Sequence, residues 1–134
     1  MDLYIVRLVF ISIVIPAYKQ EKTIVQDMER VWNVLSGTRF DFELIVVVDG
    51  MLDNTYEVAK SFNKDNVKVL GYKENMGKGF AVKYGMRRAK GDYIAFIDAG
   101  MEIDPNGISM IMEHMLWYNA DIIVGSKRHP ASRV

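Results

Sequence analysis

"FELIVVV", residues 42–48, is the stretch that decides the fold. It is an apolar run interrupted only by Glu43, and such a run is typical of a strand covered on both faces within a parallel sheet. An acidic residue, Asp49, follows it at once, so the run ends on a polar loop. Parallel strands need long crossover connections, and the remaining chain therefore has to supply further strands separated by helices.

Four other short apolar runs accompany this stretch, at residues 8–15, 67–72, 93–97 and 121–125. Amphipathic helical patterns lie between the runs, and one of them covers residues 78–90. Two other helices have capping-box pairs at their starts, Thr23 with Gln26 and Asn54 with Glu57. A further helix is predicted after Asp104, which can cap it, with Pro105 at its first position. The order βαβαβαβαβ predicts an α/β fold, with a doubly wound, mostly parallel sheet and right-handed crossovers.

Size and composition limit the class of protein. The chain has 134 residues, half of them hydrophobic, and we predict one domain over 1–134. The 17 basic and 17 acidic residues cancel, so nucleic acid is not an expected partner. The absence of cysteine excludes disulfides and thiolate metal sites. The first apolar run is far shorter than the ~20 residues of a membrane helix, so we expect no transmembrane segment and a cytoplasmic location by default.

In a doubly wound sheet, ligands bind outside the carboxyl ends of the strands. The loops expected there are residues 16–20, 49–55, 73–79, 98–104 and 126–130. These segments hold many of the acids, glycines and bases that the chain carries in loops. The topology therefore predicts one functional edge.

Several common sites are excluded at this edge. The first loop reads "PAYKQEKT", so the chain lacks the G-x-G-x-x-G turn of dinucleotide binders, and it has no G-x-x-x-x-G-K-[ST] loop. A phospho-receiver domain would need an acidic pair where this chain has Pro16-Ala17-Tyr18. "NMGKGFAV" can place backbone N–H groups and the Lys78 ammonium near a phosphate, although a glycine turn that merely enters a helix is an equally good interpretation.

Four segments together resemble the nucleotide-binding half of the inverting family 2 glycosyltransferases, which have the Rossmann-like GT-A fold. "VIPAYKQEKTI", "IVVVDGMLDNT" and "KENMGKGFAVKYGMRRAKGDYIAFIDAG" are similar to that family's loops in order and spacing, and the last stretch ends at its D-x-D motif. "ADIIVGSKRHP" is most like enzymes that move sugars to dolichyl or other polyprenyl phosphates. The resemblance covers roughly residues 10–130.

The resemblance implies specific roles. Its nucleotide-binding residues would be Pro16, Ala17, Tyr18, Asp49, Asn75, Gly77, Lys78 and Asp98. Asp98 would also act as the catalytic residue beside the diphosphate and, with Glu102, would hold Mg²⁺ or Mn²⁺. Lys127 or Arg128 would face the phosphates of donor or acceptor. Asp53 would brace the second loop, but Asp49 and Asp53 can also be interpreted as a turn and a helix cap.

Three departures from the family pattern bear on catalysis. Gly100 replaces the second aspartate of D-x-D, which predicts weakened metal binding. Lys19 and Gln20 stand where the family has Asn-Glu, and Val48 stands where many relatives have the first aspartate of a pair. Glu102, on the same loop as Gly100, is expected to compensate in part for the missing carboxylate.

Two hypotheses follow. In the first, the chain is the donor-binding part of a glycosyltransferase whose acceptor-binding region, another hundred or so residues with membrane-associated parts, is missing from this sequence. In complete form it would transfer a sugar to a polyprenyl phosphate or a glycan. In the second, the domain is a non-catalytic nucleotide-binding or interaction module that self-associates through an exposed apolar surface. The Gly100, Lys19 and Gln20 departures favour the second hypothesis, whereas the intact "ENMGKG" and "FIDA" stretches favour the first.

Overall fold

The computed structural model describes residues 9–98, residues 107, 110 and 113, and a strand at 122–124. Five parallel strands form one sheet in the order β3-β2-β1-β4-β5, as the α/β prediction requires. The strands are β1 (Phe10–Ala17), β2 (Asp41–Asp49), β3 (Val67–Tyr72), β4 (Tyr93–Phe96) and β5 (Ile122–Val124). The helices are α1 (Ile24–Ser36), α2 (Thr55–Lys60) and α3 (Lys78–Arg88).

The core has two layers because the central strands are apolar on both faces. Along β1, Ile11, Ile13 and Ile15 are fully or almost fully buried in the larger cluster, which also contains the apolar face of α1. Val14 faces the opposite side and belongs to the cluster that includes Ala81 of α3. The continuous apolar runs of the sequence thus reflect strands covered by helices on each side.

Helix α3 lies very close to the sheet. A Cβ atom added at Gly85 would stand 2.6 Å from Cγ1 of Val14 and 2.9 Å from Cγ2 of Val47, closer than real Cβ contacts. The absence of a side chain at this position therefore sets how near α3 approaches β1 and β2.

The predicted end of β1 was wrong by two residues. The predicted strand stopped before Pro16, whereas β1 continues through Pro16 and Ala17. The register explains the difference: β4 pairs with Ile11–Val14 only, and Pro16 is paired with Val47 of β2. Proline is tolerated there because its missing N–H lies beyond the ladder with β4.

The two predicted capping boxes were also wrong. Neither Thr23 nor Asn54 makes a side-chain capping hydrogen bond. At α1, the Gln20 carbonyl accepts from the N–H groups of Thr23 and Ile24. At α2, the cap is supplied by Asp53, whose Oδ1 accepts from the Thr55 N–H at 2.9 Å. The helices begin where predicted, but other groups satisfy their first N–H donors.

The predicted helix after Asp104 lies mostly outside the described residues; the backbone is helical at residues 107, 110 and 113. In the parts of the chain that the structure describes, no helix has the length and apolar character needed to span a membrane.

Candidate functional site

A cleft of about 450 Å³ lies at the carboxyl edge of the sheet. The strand order reverses between β1 and β4, and such a switch point is where doubly wound sheets bind ligands. The loops after β1, β3 and β4 and the end of β2 line it with Pro16, Ala17, Tyr18, Gln20, Asp49, Asn75, Gly77, Lys78 and Asp98. The structure thus brings together all eight residues that the resemblance implied for nucleotide binding, and adds Gln20.

Asp49 is the most heavily engaged of these residues. Its Oδ1 accepts from the Tyr72 hydroxyl at 2.8 Å and from the Met76 N–H at 2.7 Å, and its Oδ2 accepts from the Gly77 N–H at 3.0 Å. A carboxylate has about four acceptor positions, so most of them are used within the protein. Asp49 is also only 4% exposed. Its hydrogen bonds to the backbone hold the loop between β3 and α3 in place.

That loop depends on Gly77. Gly77 has φ +96°, a left-handed conformation that disfavours residues with a side chain. Its N–H donates both to Asp49 and, at 3.0 Å, to Oδ1 of Asn75. The turn therefore enters α3 with a fixed backbone, and it places Lys78 at the first helical position.

An ion pair joins two sides of the cleft. The Lys78 ammonium nitrogen lies 2.7 Å from Oδ2 of Asp98, which follows β4. Both side chains reach solvent, with Lys78 58% and Asp98 30% exposed. Lys78 also lies over the Phe96 ring, with its ammonium 5.7 Å from the centroid. An exposed cation and a partly exposed carboxylate thus meet where the resemblance implies a diphosphate and a metal ion.

A second set of contacts braces the first two loops against each other. The Gln20 N–H donates to Oγ1 of Thr55 at 2.8 Å, and the Thr55 hydroxyl donates to Asp53. Burial acts to raise the pKa of Asp53, but the hydrogen bonds from the Thr55 hydroxyl and N–H lower it below its ordinary value. The predicted bracing role of Asp53 has this physical basis, and it coincides with the alternative interpretation as a cap.

Tyr72 connects the site to an aromatic cluster. Its ring makes edge contacts with Phe80 and Tyr84, at centroid distances of 5.2 and 5.1 Å. Burial, followed by hydrogen bonding to the Asp49 carboxylate, raises the pKa of Tyr72 well above its ordinary value, so the hydroxyl stays a donor. Sequence reasoning missed Tyr72 and Thr55, since no spacing pattern distinguishes them from ordinary strand and helix residues.

The described residues offer a limited set of metal ligands. Within this part of the chain, no three histidine or acidic side chains converge in a way that would hold an ion. Asp98 can supply one carboxylate, and Mg²⁺-type sites often need only one or two when phosphate oxygens and water complete the shell. The donor set is therefore compatible with a cation that is held jointly with a diphosphate. Glu102, Gly100, Lys127 and Arg128 lie outside the described residues.

Comparison with known proteins bears on the family and the fold of this chain. A family model described as glycosyl transferase family 2 matches residues 12–132. A dolichyl-phosphate beta-glucosyltransferase from Trichomonas vaginalis is 31% identical over 130 residues, covering 89% of this chain and 40% of that protein. Its Drosophila melanogaster namesake is 32% identical over 133 residues, covering 89% and 41%. This chain thus spans about two fifths of the length of these relatives.

Solved structures share the fold. Glucosyl-3-phosphoglycerate synthase from Mycobacterium tuberculosis, in complex with Mn²⁺, UDP and phosphoglyceric acid, is similar with a TM-score of 0.66 and 26% identity over 81% of this chain and 39% of that one. A Pyrobaculum calidifontis mannosyltransferase in complex with GDP-Man and Mn²⁺ has a TM-score of 0.70, 17% identity, and coverage of 81% and 33%, a likeness of fold alone. With a GT-A sheet and a family match over residues 12–132, this chain belongs to glycosyl transferase family 2.

Proposed function

We propose that the cleft binds a nucleoside-diphosphate sugar together with a divalent cation, Mg²⁺ or Mn²⁺. The main support is the meeting of four strand ends in one cleft of about 450 Å³, a volume usual for small-molecule sites. The cleft combines an apolar wall with a charged pair, Lys78 and Asp98. The apolar wall suits a nucleobase, and the charged pair suits a diphosphate with its cation.

Each part of the cleft has a task in this proposal. Pro16, Ala17 and the 43%-exposed Tyr18 ring would border the base. The backbone at the start of α3 and the Lys78 ammonium would face the diphosphate, because N–H groups at a helix start favour anions. Asp98 would hold the cation. When bound, such a cation neutralises the diphosphate and makes it a better leaving group.

Transfer to an acceptor is the second half of the proposal. The acceptor would be a polyprenyl phosphate or a glycan, and relatives named dolichyl-phosphate beta-glucosyltransferase favour the first. A phosphate oxygen can attack the sugar directly with inversion, so this acceptor needs no general base from the cleft. Lys127, Arg128 and Glu102 are proposed to act on the donor and acceptor phosphates and the cation.

A calorimetric titration with UDP, GDP and their sugar conjugates, with and without Mn²⁺, tests the donor site. We expect one nucleotide series to bind about tenfold tighter with Mn²⁺, and Asp98→Asn to remove that gain. Asp65→Asn, a neutralised exposed carboxylate in the loop before β3, is the matched control and should retain the gain. A folded chain that binds no nucleotide under either condition would overturn the proposal.

A non-catalytic nucleotide-binding module is the second candidate. It is favoured by the state of the carboxylates: Asp49 is occupied by three protein donors, and Asp98 already has an ammonium partner. Nucleotide binding that is unaffected by Mn²⁺ would favour this candidate over the first.

A further inference from the structure

The Lys78–Asp98 pair places a cationic side chain on the oxygen that a metal ion would need. Lys78 Nζ lies 2.7 Å from Asp98 Oδ2, at ordinary hydrogen-bond distance. An ammonium and a divalent cation repel each other strongly at such separations, so both cannot occupy the same oxygen. Metal binding at this oxygen therefore requires Lys78 to leave.

We propose that Lys78 competes with the divalent cation for Asp98 until a nucleotide diphosphate offers the ammonium another partner. Nucleotide and metal would then bind with positive coupling, and the nucleotide-free chain would hold metal weakly. This inference rests on the proposed donor site, since the diphosphate is what draws Lys78 away. Because coupling between two ligands is reciprocal, metal would raise nucleotide affinity by the same factor.

The surroundings of Lys78 permit this exchange. Its backbone follows the turn that Asp49 and Asn75 hold in place through the Gly77 N–H. Its side chain, in contrast, is more than half exposed and carries a flexible four-carbon stem. A fixed backbone with a movable ammonium lets Lys78 change partners within one cleft without any shift of α3.

The solvent exposure of the Lys78–Asp98 pair limits how much Lys78 can reduce metal affinity. A solvent-exposed ion pair is a modest interaction, so Lys78 would reduce metal affinity rather than abolish it. The factor expected is about threefold to tenfold, from the lost pairing and the repulsion between the two cations.

Mn²⁺ binding to the nucleotide-free chain tests the competition directly, by calorimetry or by the paramagnetic resonance signal of free Mn²⁺. Lys78→Met keeps the apolar stem and removes the charge, and we expect Mn²⁺ to bind about threefold to tenfold tighter. Lys83→Met removes an exposed charge from the same helix and should stay within about twofold of the unaltered chain, because solvent and salt screen that charge. In an Asp98→Asn background, the effect of Lys78→Met should vanish.

Adding saturating UDP or GDP completes the test. The Mn²⁺ affinities of the unaltered chain and Lys78→Met should converge, while metal-free nucleotide affinity falls in Lys78→Met. The competition would be overturned if nucleotide-free Lys78→Met bound Mn²⁺ no more tightly than the unaltered chain, or if neither form bound Mn²⁺. In either case, nucleotide binding by the unaltered chain would leave the donor-site proposal standing. Failure of the unaltered chain to bind any nucleotide would instead overturn the donor site, and with it the coupling.

Discussion

Asp49 and Tyr72 are register partners at the carboxyl ends of β2 and β3, and the tyrosine hydroxyl donates to the aspartate Oδ1 across 2.8 Å. The same carboxylate accepts from the backbone of residues 76 and 77. One pair of side chains therefore connects the sheet, the aromatic cluster and the turn that leads to Lys78 at the start of α3.

Tyr72→Phe should loosen this connection without disturbing the ring packing. We expect a loss of about 1 kcal/mol in the free energy of unfolding, because one hydrogen bond to a buried carboxylate disappears. Nucleotide affinity should fall as well, because the loop is less firmly held. Urea denaturation and calorimetry measure the two effects. Tyr84→Phe, in the same aromatic cluster, is the control, and equal losses in both variants would contradict the prediction.

Thr55→Val should separate the first two loops. Thr55 is fully buried, and valine matches its shape but cannot accept from the Gln20 N–H or donate to Asp53. We expect a loss of about 2 kcal/mol of stability from the unpaired groups. Hydrogen exchange at the Gln20 amide should accelerate in Thr55→Val but not in Thr55→Ser, which keeps the hydroxyl. Unchanged protection of Gln20 in Thr55→Val would refute this role.

Lys19→Asn should stabilise the chain. Lys19 has φ +48°, a left-handed conformation in which asparagine is several-fold enriched over other residues with a side chain. Relief of part of that strain is expected to add about 0.5 to 1 kcal/mol to the free energy of unfolding. Lys19→Ala removes the charge but keeps the strained backbone, so its thermal midpoint should not rise in the same way. A rise of the thermal midpoint in Lys19→Ala but not in Lys19→Asn would mean that the charge of Lys19, and not its backbone strain, is destabilising.

Glu43 predicts a pH dependence of stability. It is buried at 4% exposure, which acts to raise its pKa, but hydrogen bonds from the Lys90 N–H, the Ser12 hydroxyl and the Lys68 ammonium lower the pKa below 4.5. A lowered folded-state pKa stabilises the protein above about pH 4.5, and this contribution is lost as the pH falls through the folded value.

Glu43→Gln should therefore cost about 2 kcal/mol at pH 7, and the gap to the unaltered chain should narrow below pH 4.5. Unfolding by urea at pH 7, 5 and 3.5 measures this gap. Glu43 lies near the amino end of β2, whereas the cleft lies at the carboxyl ends of the strands. The nucleotide affinity of Glu43→Gln at pH 7 should therefore equal that of the unaltered chain. A gap that is constant with pH would exclude Glu43 as the titrating group.

Gly100→Asp should strengthen metal-dependent nucleotide binding. The substitution supplies the carboxylate that the family has two residues after Asp98, and added ligand charge raises the affinity for hard cations. We expect about a tenfold gain in UDP or GDP affinity in the presence of Mn²⁺ and little change in its absence. Gly100→Asn, of similar size but uncharged, is the control. An equal gain in both variants, or none in either, would argue against metal binding by this loop.

Much of the fold was predictable because it depends on apolar periodicity. The run at residues 42–48 and its counterparts correspond to the five strands, with small shifts such as the extension of β1 through Pro16. The helix caps were less predictable. Thr23 and Asn54 have suitable side chains, but a backbone carbonyl and Asp53 provide the acceptors at those helix starts.

For the described residues, the sequence predicted which side chains line the cleft but not the hydrogen bonds that they make. Strand ends in a parallel sheet must meet at one edge, so Asp49, Lys78 and Asp98 were expected near each other. The three donors to Asp49 come from residues 23 to 28 positions further along the chain, and no local pattern reveals such contacts. The individual roles of the cleft residues remain predictions.

The absence of a side chain at Gly85 limits which substitutions α3 can accept. Gly85 lies about two helical turns beyond Lys78 on α3. A side chain there would clash with the methyl groups of Val14 and Val47, so either the helix or these valines would have to shift. Substitutions in the cleft are therefore best compared with glycine kept at position 85, since a bulkier residue there would disturb the packing of the helix that begins at Lys78.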